Sequence, residues 1–217
     1  MRIQKYLSEQ KICSRREAER YITQGLVKVN GIVVTNLATQ IDSAKDKIEL
    51  FGQDKQEKIT IAANKPRGVI SEPTFLPKEY QGLNSVGRLD KESEGLLLFS
   101  NDGALTASVT SDEHTIEKEY EVKVRERVTE SKLKKMASGI RLEDGMTLPA
   151  QTKSLGDSSF RILLREGRNH QIRRMCDAMH LTVVSLKRWR IGSIKLGNLK
   201  PGAYRRLSQK EVEGLKK

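Results

Sequence analysis

The longest unbroken apolar run in this 217-residue chain is four residues, Leu96 to Phe99. A membrane helix needs about 20, so no span is expected and the chain must fold around short elements. From Ile59 onward the strand-like runs are brief: Ile59–Ala63, Leu96–Phe99, Glu119–Val124, Phe160–Leu164 and Leu181–Leu186. Helical periodicity is confined to about 104–110, 130–138 and 170–179. Strands this short, with so few helices between them, do not make a doubly wound sheet. The expected class is a sheet-rich α+β fold. The leading residues Met1-Arg2-Ile3-Gln4-Lys5-Tyr6 lack the apolar stretch of a secretory leader. Cys13 and Cys176 are too few for a thiol metal site, so a reducing, cytoplasmic setting is expected.

Charge is distributed unevenly. The net formal charge is +12, and residues 161–217 hold 15 basic against 4 acidic groups. A basic surface inside folded sequence suits a polyanion, most simply nucleic acid. A solvated basic face is the bland alternative.

The first 50 residues form a small unit of their own. Ile3, Tyr6 and Leu7 share one face of a short helix. Ser14-Arg15-Arg16-Glu17 fits a capping box, and Ala18, Tyr21 and Ile22 form the next apolar face before Gly25. Asn30-Gly31 between two β-rich runs predicts a hairpin, because both residues tolerate positive φ. Arg16 and Arg20 lie four apart on one helix face, with Arg15 beside them and Lys5 and Lys11 nearby. Such a face can grip phosphates. This segment resembles an S4 RNA-binding domain, on the spacing of Arg2–Leu7, Cys13–Ala18 and Gly25–Gly31. The polar, aperiodic stretch 51–58 reads as a linker, and 59–217 as a second domain.

The second domain lacks a Walker loop, a dinucleotide glycine pattern and a nucleophile elbow, and its histidines are not spaced as metal ligands. No cofactor and no metal are expected. Its candidate chemistry centres on Asp90, in a polar loop just before the run Leu96–Phe99. A carboxylate at the edge of a core strand is held rigidly; the plain alternative is a turn-capping aspartate.

Gly87-Arg88-Leu89-Asp90 resembles the catalytic motif of RsuA-type pseudouridine synthases, whose aspartate is essential. Asn64-Lys65-Pro66-Arg67-Gly68, Lys118-Glu119-Tyr120 and Arg168–Met175 resemble that family's other motifs, in the same order. The run 14–22 and Ile116–Tyr120 are most similar to its RluF-like branch. Ser93 stands where threonine is commoner, and Ala63 where a larger aliphatic is usual. The resemblance implies a mixed, mainly antiparallel sheet and an isomerase that detaches uracil from C1′, turns it, and rejoins it through C5. It implies Asp90 as nucleophile or general base, Arg173 as its ion-pair partner and Tyr120 as the residue stacking on the base. Lys65 would support the site and Ile172 would pack near the uracil, with Arg88, Arg168 and Arg174 toward the substrate.

Helical spacing agrees in part. Ile172, Met175, Cys176 and Met179 make one apolar stripe, with Arg173 on its flank and Arg174 facing away. A flank arginine is placed to pair bidentately with Asp90. Trp189, between cations, either stacks on RNA or packs in the sheet.

The reading is a monomeric, cytoplasmic RNA pseudouridine synthase acting on large-subunit ribosomal RNA, with no membrane partner. The alternatives are a synthase for small-subunit or transfer RNA, or a non-catalytic RNA-binding, ribosome-assembly protein. The joint presence of Asp90, Tyr120 and Arg173 favours the enzyme.

Overall fold

The run Leu96–Phe99 is apolar throughout because its strand is covered on both faces. In the computed structural model, which describes residues 1–10, 12–52, 57–111 and 116–216, all four side chains are fully buried. Side chains alternate along a strand. Leu97 and Phe99 therefore enter one core and Leu96 and Leu98 another.

The N-terminal residues have a third core, built on Ile3, Leu7, Ala18, Ile22 and Val27. Helices α1 (Ile3–Glu9) and α2 (Arg15–Thr23) pack with a three-stranded antiparallel sheet of β1 (Val27–Val29), β2 (Ile32–Val34) and β3 (Ile48–Leu50), ordered β2-β1-β3. The capping box forms: Ser14 Oγ accepts from Glu17 N, and the Glu17 carboxylate accepts from Ser14 N. Such a cap contributes about 1 kcal/mol. Asn30 and Gly31 take φ of 51° and 82°, the turn that matches strand twist.

The remaining elements are β4 (Thr60–Lys65), β5 (Asn84–Val86), β6 (Glu94–Ser100), α3 (Gly103–Thr110), β7 (Lys118–Val124), α4 (Glu130–Ser138), β8 (Arg141–Leu142), β9 (Gly145–Met146), β10 (Gln151–Gly156), β11 (Ser159–Leu164), α5 (Gln171–Asp177), β12 (Val183–Ile191), β13 (Ile194–Lys195), β14 (Tyr204–Arg206) and α6 (Gln209–Gly214). The main sheet runs β10-β11-β7-β12-β6-β4-β14, with β5 also on β6 and β13 on β12. It is the mixed, mainly antiparallel sheet expected of an α+β chain. Helices α4 and α5 cover the face of Leu97 and Phe99, while α3 and the end of α6 cover that of Leu96 and Leu98.

One pairing in the main sheet is parallel, β12 with β6, through Lys187 with Glu94 and Arg188 with Gly95. Gly95 is indispensable there. Its φ is +104°, and a Cβ would lie 2.4 Å from the Arg188 carbonyl oxygen. This close approach places the start of β6, and the loop before it, against the middle of β12.

Some boundaries differ from the periodicity. The last long strand begins at Val183 and continues to Ile191, so Trp189 is a strand residue packed against the core of Leu96. The Lys187 ammonium lies 4.5 Å from its ring centroid. Helix α5 stops at Asp177, two residues short of Met179. Cys13 and Cys176 are free and buried. Burial pushes their thiols up to about 11 and about 12, which suits packing rather than reactivity. Lys11 and residues 53–56 of the expected linker lie outside the described residues.

Candidate active site

The loop carrying Asp90 is fastened by its backbone. Ser71 Oγ accepts from Leu89 N at 2.8 Å and donates to Leu89 O at 2.6 Å. Arg188 Nη1 donates to Arg88 O at 3.3 Å, while its Nε donates to Leu96 O at 2.7 Å. Gly68 N donates to Lys91 O at 2.8 Å, and Ser93 N to Asp90 O at 3.0 Å. Ser71 and Arg188 are both buried. Every residue from Arg88 to Lys91 is thus tied through its own carbonyl, a rigid seat for a reacting group.

Lys65 belongs to this clamp. Its side chain is fully buried, and its Nζ donates to the carbonyls of Pro66, Val69 and Lys91. Burial pushes its ammonium below the ordinary lysine value, against the pull of Asp90, Glu92 and Glu94. The donors of Lys65 go to carbonyls, tying the Pro66–Val69 turn to the Asp90 loop, so its support of the site is indirect.

The Asp90 carboxylate is 28% exposed and meets three side chains. Arg173 Nε donates to Oδ2 at 3.4 Å. Ser93 Oγ lies 3.5 Å from the same oxygen and takes a bond from Arg173 Nη2 at 3.4 Å. His170 Nε2 lies 3.2 Å from Oδ1. The bidentate pair expected of Arg173 does not form. One arm of the guanidinium reaches Asp90 directly and another reaches it through Ser93.

The contact of His170 with Asp90 has no signature in the spacing of the histidines. The reason is local. His170 stands just before α5 with φ 47° and ψ 27°, a left-handed conformation that no helical wheel can place. Ser71 and Arg188 were missed because they act through backbone atoms, which leave no side-chain pattern.

The pocket in front of Asp90 is walled by Tyr120, Ile172, Leu186, Arg88 and Glu166. Tyr120 is 9% exposed and the Arg188 guanidinium carbon lies 5.9 Å from its ring centroid. Ile172 is buried against the same core. Arg88 is exposed at the rim. A planar, uncharged ring between these walls would meet one half-exposed carboxylate. That arrangement suits attack at a carbon or removal of a proton.

Arg168 and Arg174 are engaged. Arg174 forms a two-pronged pair with Asp144, at 2.8 and 2.9 Å, so the residue expected to face away toward solvent or RNA is held against the β8–β9 hairpin. Its exposure is close to that of Arg173, 27% against 25%. Arg168 donates to Glu166 and to the carbonyls of Gly145 and Met146, and still lines the pocket edge. Lys5 pairs with Glu9 along α1. Arg15, Arg16 and Arg20 are exposed on α2 and line a groove of about 420 Å³ shared with Asn84 and Thr106. Arg16 Nη1 donates to Asn84 Oδ1 at 2.9 Å. Among the described residues no cluster of metal-ligating side chains occurs.

Comparison with known proteins adds a consistent set of likenesses. Residues 59–178 match the family described as RNA pseudouridylate synthase, and residues 1–48 match the S4 domain. The ribosomal large subunit pseudouridine synthase B of Bacillus subtilis is 36% identical, over 99% of this chain and 95% of its own. The dual-specificity RNA pseudouridine synthase RluF of Escherichia coli is 35% identical, over 98% of this chain and 77% of its own. A crystal structure of a pseudouridylate synthase superposes with a TM-score of 0.76 at 34% identity, covering 99% of both chains.

Proposed function

The chain belongs to the RNA pseudouridylate synthase family, a family of isomerases acting on RNA, and on that premise we propose that its substrate is a uridine of large-subunit ribosomal RNA turned out into the Asp90 pocket. The observation that carries this reading is the half-exposed Asp90 carboxylate, clamped from behind and faced by Tyr120 and Ile172. The name of the Bacillus subtilis relative supports the choice of RNA.

In this reading the uracil lies between Tyr120 and Ile172, reached by base flipping. Asp90 acts at the sugar, either attacking C1′ or taking a sugar proton on the way to a glycal. Arg173 holds the carboxylate aimed. Uracil is released from C1′ as an anion, turns, and bonds through C5. The reaction is internally balanced, since C5 gives up one proton and N1 gains one. Arg88 at the rim meets the RNA backbone. Residues 1–50 serve as an RNA-binding domain, 51–58 as its linker and 59–217 as the catalytic domain. Arg15, Arg16 and Arg20 on the exposed face of α2 add phosphate contacts. Arg168 and Arg174 shape the pocket edge through their carboxylate partners. The enzyme works as a monomer in the cytoplasm; among the described residues no helix is long and apolar enough to cross a membrane.

The test is incubation with ribosomal RNA tritiated at uracil C5. Isomerisation releases the tritium to water, and sequencing of the product names the subunit. Release from small-subunit or transfer RNA alone would overturn the substrate assignment.

A further inference from the structure

Beside the uridine pocket lies a second cavity, of about 160 Å³, that the chemistry at Asp90 does not use. The two have a wall in common, since Arg88, Tyr120, Glu166 and Arg168 line both. Lys118, Arg165 and Arg188 line the second cavity and not the first. Its wall therefore carries five cationic side chains against one carboxylate, that of Glu166.

That one carboxylate is already occupied. Glu166 accepts from Leu148 N, Arg168 Nε and Gln171 Nε2. Arg188 is 2% exposed. Its Nε and Nη1 donate to carbonyls, and its Nη2 is buried without a hydrogen-bond partner. A buried cation with no counter-charge is costly, and an anion in the adjoining cavity offsets that cost. Arg165, on the outer side, is exposed and donates to Glu117 at 3.2 Å. Glu117 also accepts from Arg190, while Glu119 accepts from Arg190 and Arg161. Three arginines thus share two carboxylates. Arg165 can turn to another acceptor while Arg190 keeps Glu117 paired.

We propose that this cavity is an oxyanion subsite, which takes the phosphodiester adjoining the target uridine. The proposal rests on the reading of the Asp90 pocket as a uridine site. A uridine stacked on Tyr120 carries a phosphate on each side of its ribose, and these are the anions that accompany it to the shared wall. Arg165 supplies a guanidinium fork to the phosphate oxygens. Arg188 adds charge from the buried side while its bonds hold the Asp90 loop. The subsite fixes the backbone at the turned-out nucleotide, where a phosphate contact sets position rather than sequence.

The experiment is a double-mutant cycle between protein and RNA. Its probe is the shortest large-subunit stem-loop that the unaltered protein converts, made with a neutral methylphosphonate at the linkage 5′ or 3′ to the converted uridine. Filter binding to the unaltered protein should weaken about tenfold at one of these linkages, the scale of a contacting charged pair. Arg165→Gln should weaken binding to the all-phosphate RNA and then be nearly indifferent to that methylphosphonate. Lys123→Gln removes the same charge from an exposed place on β7 outside the cavity wall, and should leave the full methylphosphonate effect in place. Unweakened binding of the unaltered protein to both modified RNAs would overturn the proposal. So would losses from Arg165→Gln and methylphosphonate that multiply within about twofold at both linkages. A methylphosphonate effect that Lys123→Gln abolishes equally would also overturn it, in favour of a general field over a seat. If the unaltered protein converts no uridine in large-subunit RNA, the parent reading fails and the subsite with it, and this is visible before any variant is compared.

Discussion

Arginines on α2 and arginines around Asp90 have the same chemistry and opposite surroundings. On α2, Arg15, Arg16 and Arg20 are exposed, and the contacts of Arg16 and Arg20 are with neutral groups: an Asn84 oxygen and the Tyr21 ring. Around the pocket, Arg173 meets Asp90, Arg174 meets Asp144, Arg168 meets Glu166, and Arg188 is buried against two carbonyls. An arginine held by a carboxylate is a clamp, with its geometry fixed before substrate arrives. An arginine whose partners are neutral groups remains available to phosphate. The sharp prediction is that the first group controls turnover and the second controls affinity.

Asp90→Asn should break the pocket side most completely. The amide keeps the shape but cannot attack or take a proton, so turnover should fall at least 10²-fold while RNA binding stays close to normal. Residual turnover above about a hundredth would remove Asp90 from the chemistry.

Arg173→Lys comes next. The charge survives but the fork does not, and one ammonium cannot serve both Asp90 and Ser93. A fall in kcat with little change in RNA affinity is expected from single-turnover rates and filter binding. An unaltered kcat would make Arg173 a spectator.

Lys65→Met tests the clamp through stability. Three carbonyls lose their shared donor in a buried place, where an unsatisfied polar group costs about 1–3 kcal/mol. Urea unfolding should show that loss and activity should fall with it. The same exchange at exposed Arg20 should leave unfolding within about 0.5 kcal/mol. Equal effects at the two positions would erase the distinction between clamp and grip.

Legibility in the sequence followed the same division. The capping box at Ser14, the Asn30-Gly31 turn and the apolar stripe of α5 are local patterns, and each is present. The apolar run Leu96–Phe99 marks a strand, yet no local pattern says that β6 pairs in parallel with β12. That pairing joins residues about 90 positions apart and sets where the Asp90 loop lies. Motif likeness singled out Asp90, Tyr120 and Arg173; the fold places Asp90 and Tyr120 at one pocket, with Arg173 on the Asp90 carboxylate. It could not reveal Ser71 and Arg188, whose work is on backbone oxygens, nor Asp144, whose pairing with Arg174 depends on a two-strand hairpin meeting α5.

The smallest expected effect tests whether the two regions are held in register. Gly103, at the first turn of α3, lies against Ser14 at the start of α2. A Cβ there would stand 2.2 Å from Ser14 Cβ and 2.9 Å from Ser14 Cα. Real Cβ atoms do not approach that closely, so Gly103→Ala must push α2 off α3 and loosen the nearby Arg16–Asn84 bond. The alanine itself favours the helix by about 0.5–1 kcal/mol relative to glycine, so the catalytic region should be no less stable. Turnover at saturating RNA should therefore hold, because neither the Asp90 clamp nor the pocket wall includes Gly103. RNA affinity should weaken by up to about tenfold, or 1.4 kcal/mol, if the α2 arginines must face the same RNA that enters the pocket. Salt dependence should keep its slope, since the arginines are still present and only their placement has changed. Ser14→Gly in the same chain removes the nearest clashing atom, at a capping cost of a few tenths of a kcal/mol, and should recover part of the affinity. If Gly103→Ala binds RNA as tightly as the unaltered chain, the docking of α2 on α3 is incidental. The arginine face then acts as a tethered grip with no fixed relation to the pocket.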